Sequence, residues 1–378
     1  MSQNKLNIEY LHFSYTINTI IQTHDLCAWC VSEDINADFS SVKDINLQSE
    51  LFKDKLYEAA KTVVETCMEV RRHESVLVIA DPSTSEIGQE LYKVSSEISE
   101  NVLLVIMPFT RHHGDEPPAS VAELMRNQNV ILAPTKFSIT HTKARIQACK
   151  DGARIATMPG INSKLFASGG MLADFNSIRE SINRFGVHLR RRKKVRVTSP
   201  EGTDIRFDVN PKTWNKEDSG ICNRPGMVTN LPAGKIFNNL IEGSAKGDLY
   251  IDGSFDSTIL SEPLRFKVNE GVATDIKGGP EAQRIRHLYA EAANLMPSKD
   301  QGSVWTISQF GIGLNPNSRL IGNALEDEKV LGSCYFSIGL DGSRIEGNHS
   351  GILTNGIIKE PSIFIDGEPL VISGELQI

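Results

Sequence analysis

Four short apolar runs, each following a stretch of helical periodicity, constrain the fold of this chain more than any other feature. Leu51, Leu56, Ala59, Val63, Cys67 and Val70 recur at helical spacing over residues 49–72 and predict an amphipathic helix. Residues 75–81 then read SVLVIAD, a continuous apolar run closed by an acid, as expected of a strand buried in a parallel sheet. The alternation repeats: helices over about 85–97, 119–127 and 142–151 lead to apolar runs at 102–107, 130–133 and 154–157. This order predicts a doubly wound α/β sheet, a fold whose ligands bind at the carboxyl ends of its strands. No GxGxxG or GxxxxGK[ST] follows any run, so there is no nucleotide-binding signature. Thr140 reads as the N-cap of the helix that follows it.

Past the basic run Arg190-Arg191-Arg192-Lys193-Lys194, which reads better as a solvated connector than as an anion site, the texture changes. Residues 195–198, 204–208, 247–251, 264–269 and 272–276 alternate or are β-rich, tight turns separate them, and one helix falls at about 280–293. The expected organisation is an N-terminal extension of short strand-like runs (1–45), a doubly wound parallel-sheet α/β domain (46–190) and a strand-rich α+β domain carrying the cleft (191–378). Residues 305–339 bring the chain back to that cleft: a strand, an Asn-Pro turn, a short helical segment, the acids Glu326-Asp327-Glu328, and a second apolar strand.

A chain of 378 residues is long enough for two domains with cores of their own. A dispersed net charge of −7 argues against nucleic acid as the partner, because phosphate binding needs a coherent basic surface. No stretch approaches the roughly 20 apolar residues that span a bilayer, and the N-terminus lacks the pattern of a secretory signal. Six cysteines make no disulfide framework, so a reducing cytoplasm is expected. Cys27 and Cys30 have CxxC spacing, but no second pair completes a metal site, and two reduced thiols are the expectation.

Several motifs then fall in series: Gly114-Asp115-Glu116-Pro117-Pro118, Ala133-Pro134-Thr135, Ser138-Ile139-Thr140-His141-Thr142-Lys143-Ala144-Arg145, and 152–160 (GARIATMPG). Asn230-Leu231-Pro232-Ala233-Gly234, Ile251-Asp252-Gly253-Ser254, 311–316 (GIGLNP) and 325–329 (LEDEK) complete the set. In this order they resemble the aminopeptidase T family, the M29 metallopeptidases, which includes relatives that act as iron-dependent ring-cleaving dioxygenases of dihydroxypyridine. The resemblance covers roughly residues 50–378. It implies a homodimer and a two-metal site in the C-terminal domain, where metals polarise a carbonyl and activate water.

Carried over position by position, the family's metal ligands are all replaced. The glutamate of the Pro-Ala-Gly-Glu motif falls on Lys235, the glutamate before the Gly-Ile-Gly run on Gln309, and the histidine after the acid cluster on Tyr335. The final His-x-Asp falls on Leu353 and Asn355. His349 would serve as a shifted ligand only with an insertion, and its neighbour two along is Gly351 rather than an acid. An ammonium offers no lone pair to a metal and repels it, so the expectation is a site with neither metal nor cofactor.

What remains has the groups to bind and transform a small molecule. Lys235, Tyr335 and Glu242 are the candidate catalytic groups, and Gln309, Asn355, Glu326 and Asp327 the candidate substrate-binding groups. Burial of Lys235 would bring its pKa towards neutrality and suit it to proton transfer or a Schiff base. An internal salt bridge to Glu242 or to the 326–328 acids is the structural alternative for Lys235, and a packing role with its hydroxyl hydrogen-bonded is the alternative for Tyr335. Glu116-Pro117-Pro118 and the 141–145 segment are expected to shape turns and helix starts, and His112 and His113 to face solvent. The leading expectation is a metal-independent enzyme for a small amine, amino-acid or peptide-like substrate, in specialised biosynthesis. A non-catalytic binding or scaffold homologue and a surviving metallo-aminopeptidase are the alternatives.

Overall fold

The computed structural model describes residues 39–298, 301–339 and 352–378. Cys27, Cys30 and His349 lie outside them. By contacts the chain divides into a unit of residues 1–50, described from Phe39 as the start of a helix, and a compact unit of residues 51–378.

Helix α1 (Phe39–Lys61) passes directly into a π-helical turn, Thr62–Cys67. It begins earlier than periodicity suggested, so residues 39–45 are helical where strand-like runs were expected. The expected alternation follows: β1 (Val76–Ala80), α2 (Ser85–Ile98), β2 (Val102–Ile106), α3 (Ala119–Arg126), β3 (Val130–Thr135), α4 (Lys143–Lys150) and β4 (Arg154–Pro159). The strands form a parallel sheet in the order β2-β1-β3-β4, completed by β7 (Val228–Asn230) from the second half of the chain. Val76, Val78, Val130 and Leu132 bury one face against α1 and α2. Leu77, Ile79, Ile131 and Ala133 bury the other against α3 and α4. The sheet is therefore covered on both sides, which explains why its strands are uninterrupted apolar runs.

Local capping differs from expectation. Thr142, not Thr140, caps α4, its hydroxyl accepting from the Arg145 N–H at 3.2 Å. Glu116 assists, accepting from the N–H groups of Lys143 at 2.6 Å and Ala144 at 3.1 Å, where a carboxylate meets the positive end of the helix. Thr140 instead bonds Thr157 at 2.8 Å.

The rest of the chain builds two antiparallel sheets. One joins β13 (Val272–Lys277), β12 (Leu264–Asn269), β9 (Lys246–Ile251), β6 (Asp204–Asp208), β5 (Lys194–Thr198), β17 (Ser362–Ile365), β18 (Glu368–Ile372) and β19 (Glu375–Leu376). The other joins β11 (Thr258–Ile259), β10 (Ser254–Phe255), β16 (Leu353–Ile358), β15 (Cys334–Gly339), β14 (Ile307–Gly313) and β8 (Lys235–Asn239). They pack face to face through rings: Phe207 lies 5.1 Å from Phe310 and 5.6 Å from Phe336 between centroids. A helix, Gly279–Asn294, packs on β12 and β13. Among the described residues no helix is long and apolar enough to cross a membrane.

Candidate functional site

Side chains alternate along a strand, so the six-stranded sheet offers two different faces. Ile236, Phe310, Phe336 and Ile358 enter the core between the sheets. Their odd-numbered neighbours Lys235, Gln309, Tyr335 and Asn355 take the opposite face. The register brings these four together: Lys235 pairs with Gly313, Gly311 with Tyr335, and Ser337 with both Gln309 and Asn355. Glycine at 311 leaves room for the Tyr335 ring, since a Cβ there would stand 2.3 Å from a ring carbon.

Glu328, just after the short helix Ala324–Asp327, is the hub. Its carboxylate accepts hydrogen bonds from Lys235 Nζ and from Asn355 Nδ2. A third comes from Lys329 Nζ, at 3.2 Å. The Tyr335 hydroxyl donates to Gln309 Oε1 at 2.8 Å, and Ser337 Oγ donates to Asn355 Oδ1 at 2.5 Å. The Lys235 ammonium lies 4.8 Å from the centroid of the Tyr335 ring and 5.0 Å from that of Phe237, within cation–π range.

Three other candidates do not join this group. Glu326 and Asp327 are buried and hold the local backbone. Glu326 accepts from the N–H groups of Gly170 at 2.8 Å and Arg319 at 3.1 Å. Asp327 accepts from Ser254 Oγ at 2.6 Å and from Ile321 N–H at 2.8 Å. Burial raises the pKa of both. Glu242 is exposed and lines a separate cavity with Glu270 and Thr306. Leu353 is 43% exposed at the start of β16.

The electrostatics of the hub decide what each group can do. Burial opposes the charge on Lys235, but Glu328 beside it wins, and the pKa is raised rather than brought towards neutrality. Burial would raise Glu328, yet the charges of Lys235 and Lys329 hold it down at about 2. Burial raises Tyr335, which keeps its proton. Lys329, 2% exposed, is lowered by burial and further by the charge of Lys235, against the pull of Glu328. Two neighbouring lysines are thus pushed in opposite directions. Sequence reasoning quoted Lys329 only as part of a motif, because its neighbour in space, Lys235, is distant in sequence.

Lys235, Glu328 and Lys329 form one wall of a cleft of about 360 Å³. The opposite wall comes from the carboxyl ends of the parallel strands: Lys136 after β3, Gly160 after β4, and Asn230 ending β7, joined by His113. His112 and His113 are exposed, as expected, and His113 also lines the cleft, its ring packed edge-on to Phe137 at 5.4 Å. The general expectation for a doubly wound sheet pointed to this end; the particular residues needed the strand order.

The family described as NicX, 2,5-dihydroxypyridine 5,6-dioxygenase, matches residues 55–378. The chain belongs to this family. Its fold is similar to that of 2,5-dihydroxypyridine dioxygenase from Pseudomonas putida KT2440 (TM-score 0.71, 18% identity, covering 85% of this chain and 96% of that one). It is also similar to AmpT from Thermus thermophilus (TM-score 0.60, 12% identity, covering 86% of this chain and all of that one). No curated protein matches it in sequence. At these identities the two structures speak for the fold alone.

Against the metal site that the family resemblance implies, the donor set here fits poorly. The positions carry an ammonium, two carboxamides, a protonated phenol and an exposed leucine. The carboxylate beside them, Glu328, already accepts from Lys235, Lys329 and the Asn355 amide. Among the described residues no three His, Cys, Asp or Glu side chains are grouped to hold a metal ion.

Proposed function

We propose that this family member is an enzyme that works without a metal on a small amine, amino-acid or peptide-like compound, in a specialised biosynthetic pathway. The observation that carries this reading is the Lys235–Glu328 ion pair, which puts a fixed protein cation at a position where the family resemblance implies a metal ligand. A permanently charged Lys235 stabilises negative charge developing on a bound substrate, and the protonated Tyr335, its proton donated to Gln309, supports the ammonium with the face of its ring. Neither suits the role of base. Lys329, buried beside another cation, is the amine best placed to accept a proton, since both effects favour its neutral form.

The test combines metal analysis with two substitutions. Purified protein should contain no stoichiometric zinc, cobalt, manganese or iron, and chelators should leave its function intact; stoichiometric metal with chelator-sensitive activity overturns the reading. Lys235→Ala and Tyr335→Phe should each abolish or strongly reduce function while the protein stays folded. If both folded variants support full cellular function, the non-catalytic reading takes over. That alternative draws on the same geometry, because Lys235, Glu328 and Asn355 satisfy one another without any ligand.

A further inference from the structure

The wall of the cleft built by the parallel sheet presents hydrogen-bond donors whose acceptor atoms are already taken. The Lys136 backbone N–H donates to the buried Asp81 carboxylate at 2.5 Å, which pins the residue. Its ammonium lies 5.5 Å from the ring centroids of Phe109 and Phe137, and among the described residues no carboxylate pairs with it. Asn230 Oδ1 accepts from Thr157 Oγ1, which in turn accepts from Thr140 Oγ1 at 2.8 Å, and this leaves the Asn230 amide N–H groups for a ligand. His113 Nδ1 accepts from the Ser138 N–H at 3.0 Å, and that bond assigns the proton of the neutral ring to Nε2. Burial lowers the His113 pKa and so favours this neutral form.

An ammonium, an amide and an imidazole N–H are all donors, and the group they complement is acceptor-only: an ionised carboxylate or a phosphate. The facing wall adds to this. Glu328 is the single acid among the described lining residues and is paired with Lys235, which leaves the ammonium of Lys136 without a carboxylate partner among the described residues that line the cleft.

We propose that His113, Lys136 and Asn230 form a subsite for the carboxylate or phosphate group of a small ligand whose remainder reaches the Lys235–Glu328–Lys329 wall. This rests on the reading that the cleft receives a small substrate. It goes beyond that reading in naming a charged handle and the residues that hold it.

The test is calorimetry and thermal shift on the full chain at low ionic strength, with succinate, inorganic phosphate and neutral succinamide as probes. At least one of the two anions should bind saturably and raise the Tm, and which one binds distinguishes a carboxylate from a phosphate subsite. Succinamide should do neither. Lys136→Met should weaken anion binding about tenfold or more, and Lys136→Arg should retain most of it, as expected for loss and retention of a charge-assisted bond. Lys136 is exposed, so these variants should fold. Failure of both anions to bind, equal binding to wild type and Lys136→Met, or equal binding of succinamide overturns the proposal. Because this experiment reads binding alone, its failure leaves the metal analysis and the Lys235 and Tyr335 results standing.

Discussion

An ammonium where the family resemblance implies a carboxylate reverses the charge that its neighbours must accommodate, and Glu328 supplies the accommodation. Removing that carboxylate leaves the charged Lys235 buried without its hydrogen-bonded counter-ion, with only the Asp218 carboxyl, whose pKa burial raises, still acting on it. Glu328→Gln should therefore cost about 3–5 kcal/mol, read as a fall in the urea midpoint. The same pair sets a pH dependence. The Glu328 carboxyl titrates at about 2 in the folded chain against an ordinary 4.5, so folding is favoured wherever the unfolded group is ionised and the folded one stays so. The contribution is complete above the ordinary value and is lost as the pH falls towards the lowered one. The stability gap between wild type and Glu328→Gln should hold steady from pH 7 to 5 and narrow below that. A gap that widened on acidification would contradict the ion pair. At this scale the sequence named Lys235 and offered Glu242 or one of the acids 326–328 as its partner, and the structure picks Glu328. Glu326, Asp327 and Glu328 are consecutive and chemically alike, and only their directions in the fold separate two backbone clamps from the hub.

Elements place these side chains to within one strand register. The alternation of β8, β14, β15 and β16 turns Lys235, Gln309, Tyr335 and Asn355 to one face, and close glycine contacts let the strands carry large neighbours. Gly311→Ala would set a methyl group 2.3 Å from the Tyr335 ring, so ring or strand must move. The expected cost is about 1–3 kcal/mol, with loss of the Tyr335–Gln309 hydrogen bond and of function together. An Ala variant with wild-type Tm and function would show that the ring does not need this seat. The helices were legible to within a residue or two from 85 to 150, because apolar periodicity and turn residues agree there. The cap of α4 was not: Thr140 and Thr142 are equivalent as sequence, and the packing of Thr140 against Thr157 decides between them.

Across the whole molecule, residues 51–378 form one compact unit, and β7 from the second half completes the parallel sheet of the first. Cutting the chain near residue 190 would leave β4 as an unpaired edge. Urea unfolding followed by tryptophan fluorescence, which reports largely on Trp214 and Trp305 in the second half, should therefore coincide with unfolding followed by far-UV circular dichroism. Two separated transitions would mean that the halves fold independently. The cleft is itself a product of this arrangement, since its lining comes from the ends of parallel strands, from the start of β8 and from the segment between β14 and β15.

Periodicity alone determined the alternating helices and buried strands and the change to β-rich texture after residue 194, because each depends on patterns within a few tens of residues; the family came from the series of motifs. The resemblance implied that Lys235, Gln309, Tyr335 and Asn355 stand where the family's metal ligands fall. The tertiary structure decided that these four meet at Glu328, that Lys235 is held charged while Lys329 is pushed towards neutrality, and that Glu242 lies elsewhere. It also decided that His113, Lys136 and Asn230 face the cleft. The reason is physical: pKa values and hydrogen-bond partners depend on distances and burial, and those follow from strand order and register, which join residues almost a hundred positions apart, as in Lys235 and Glu328.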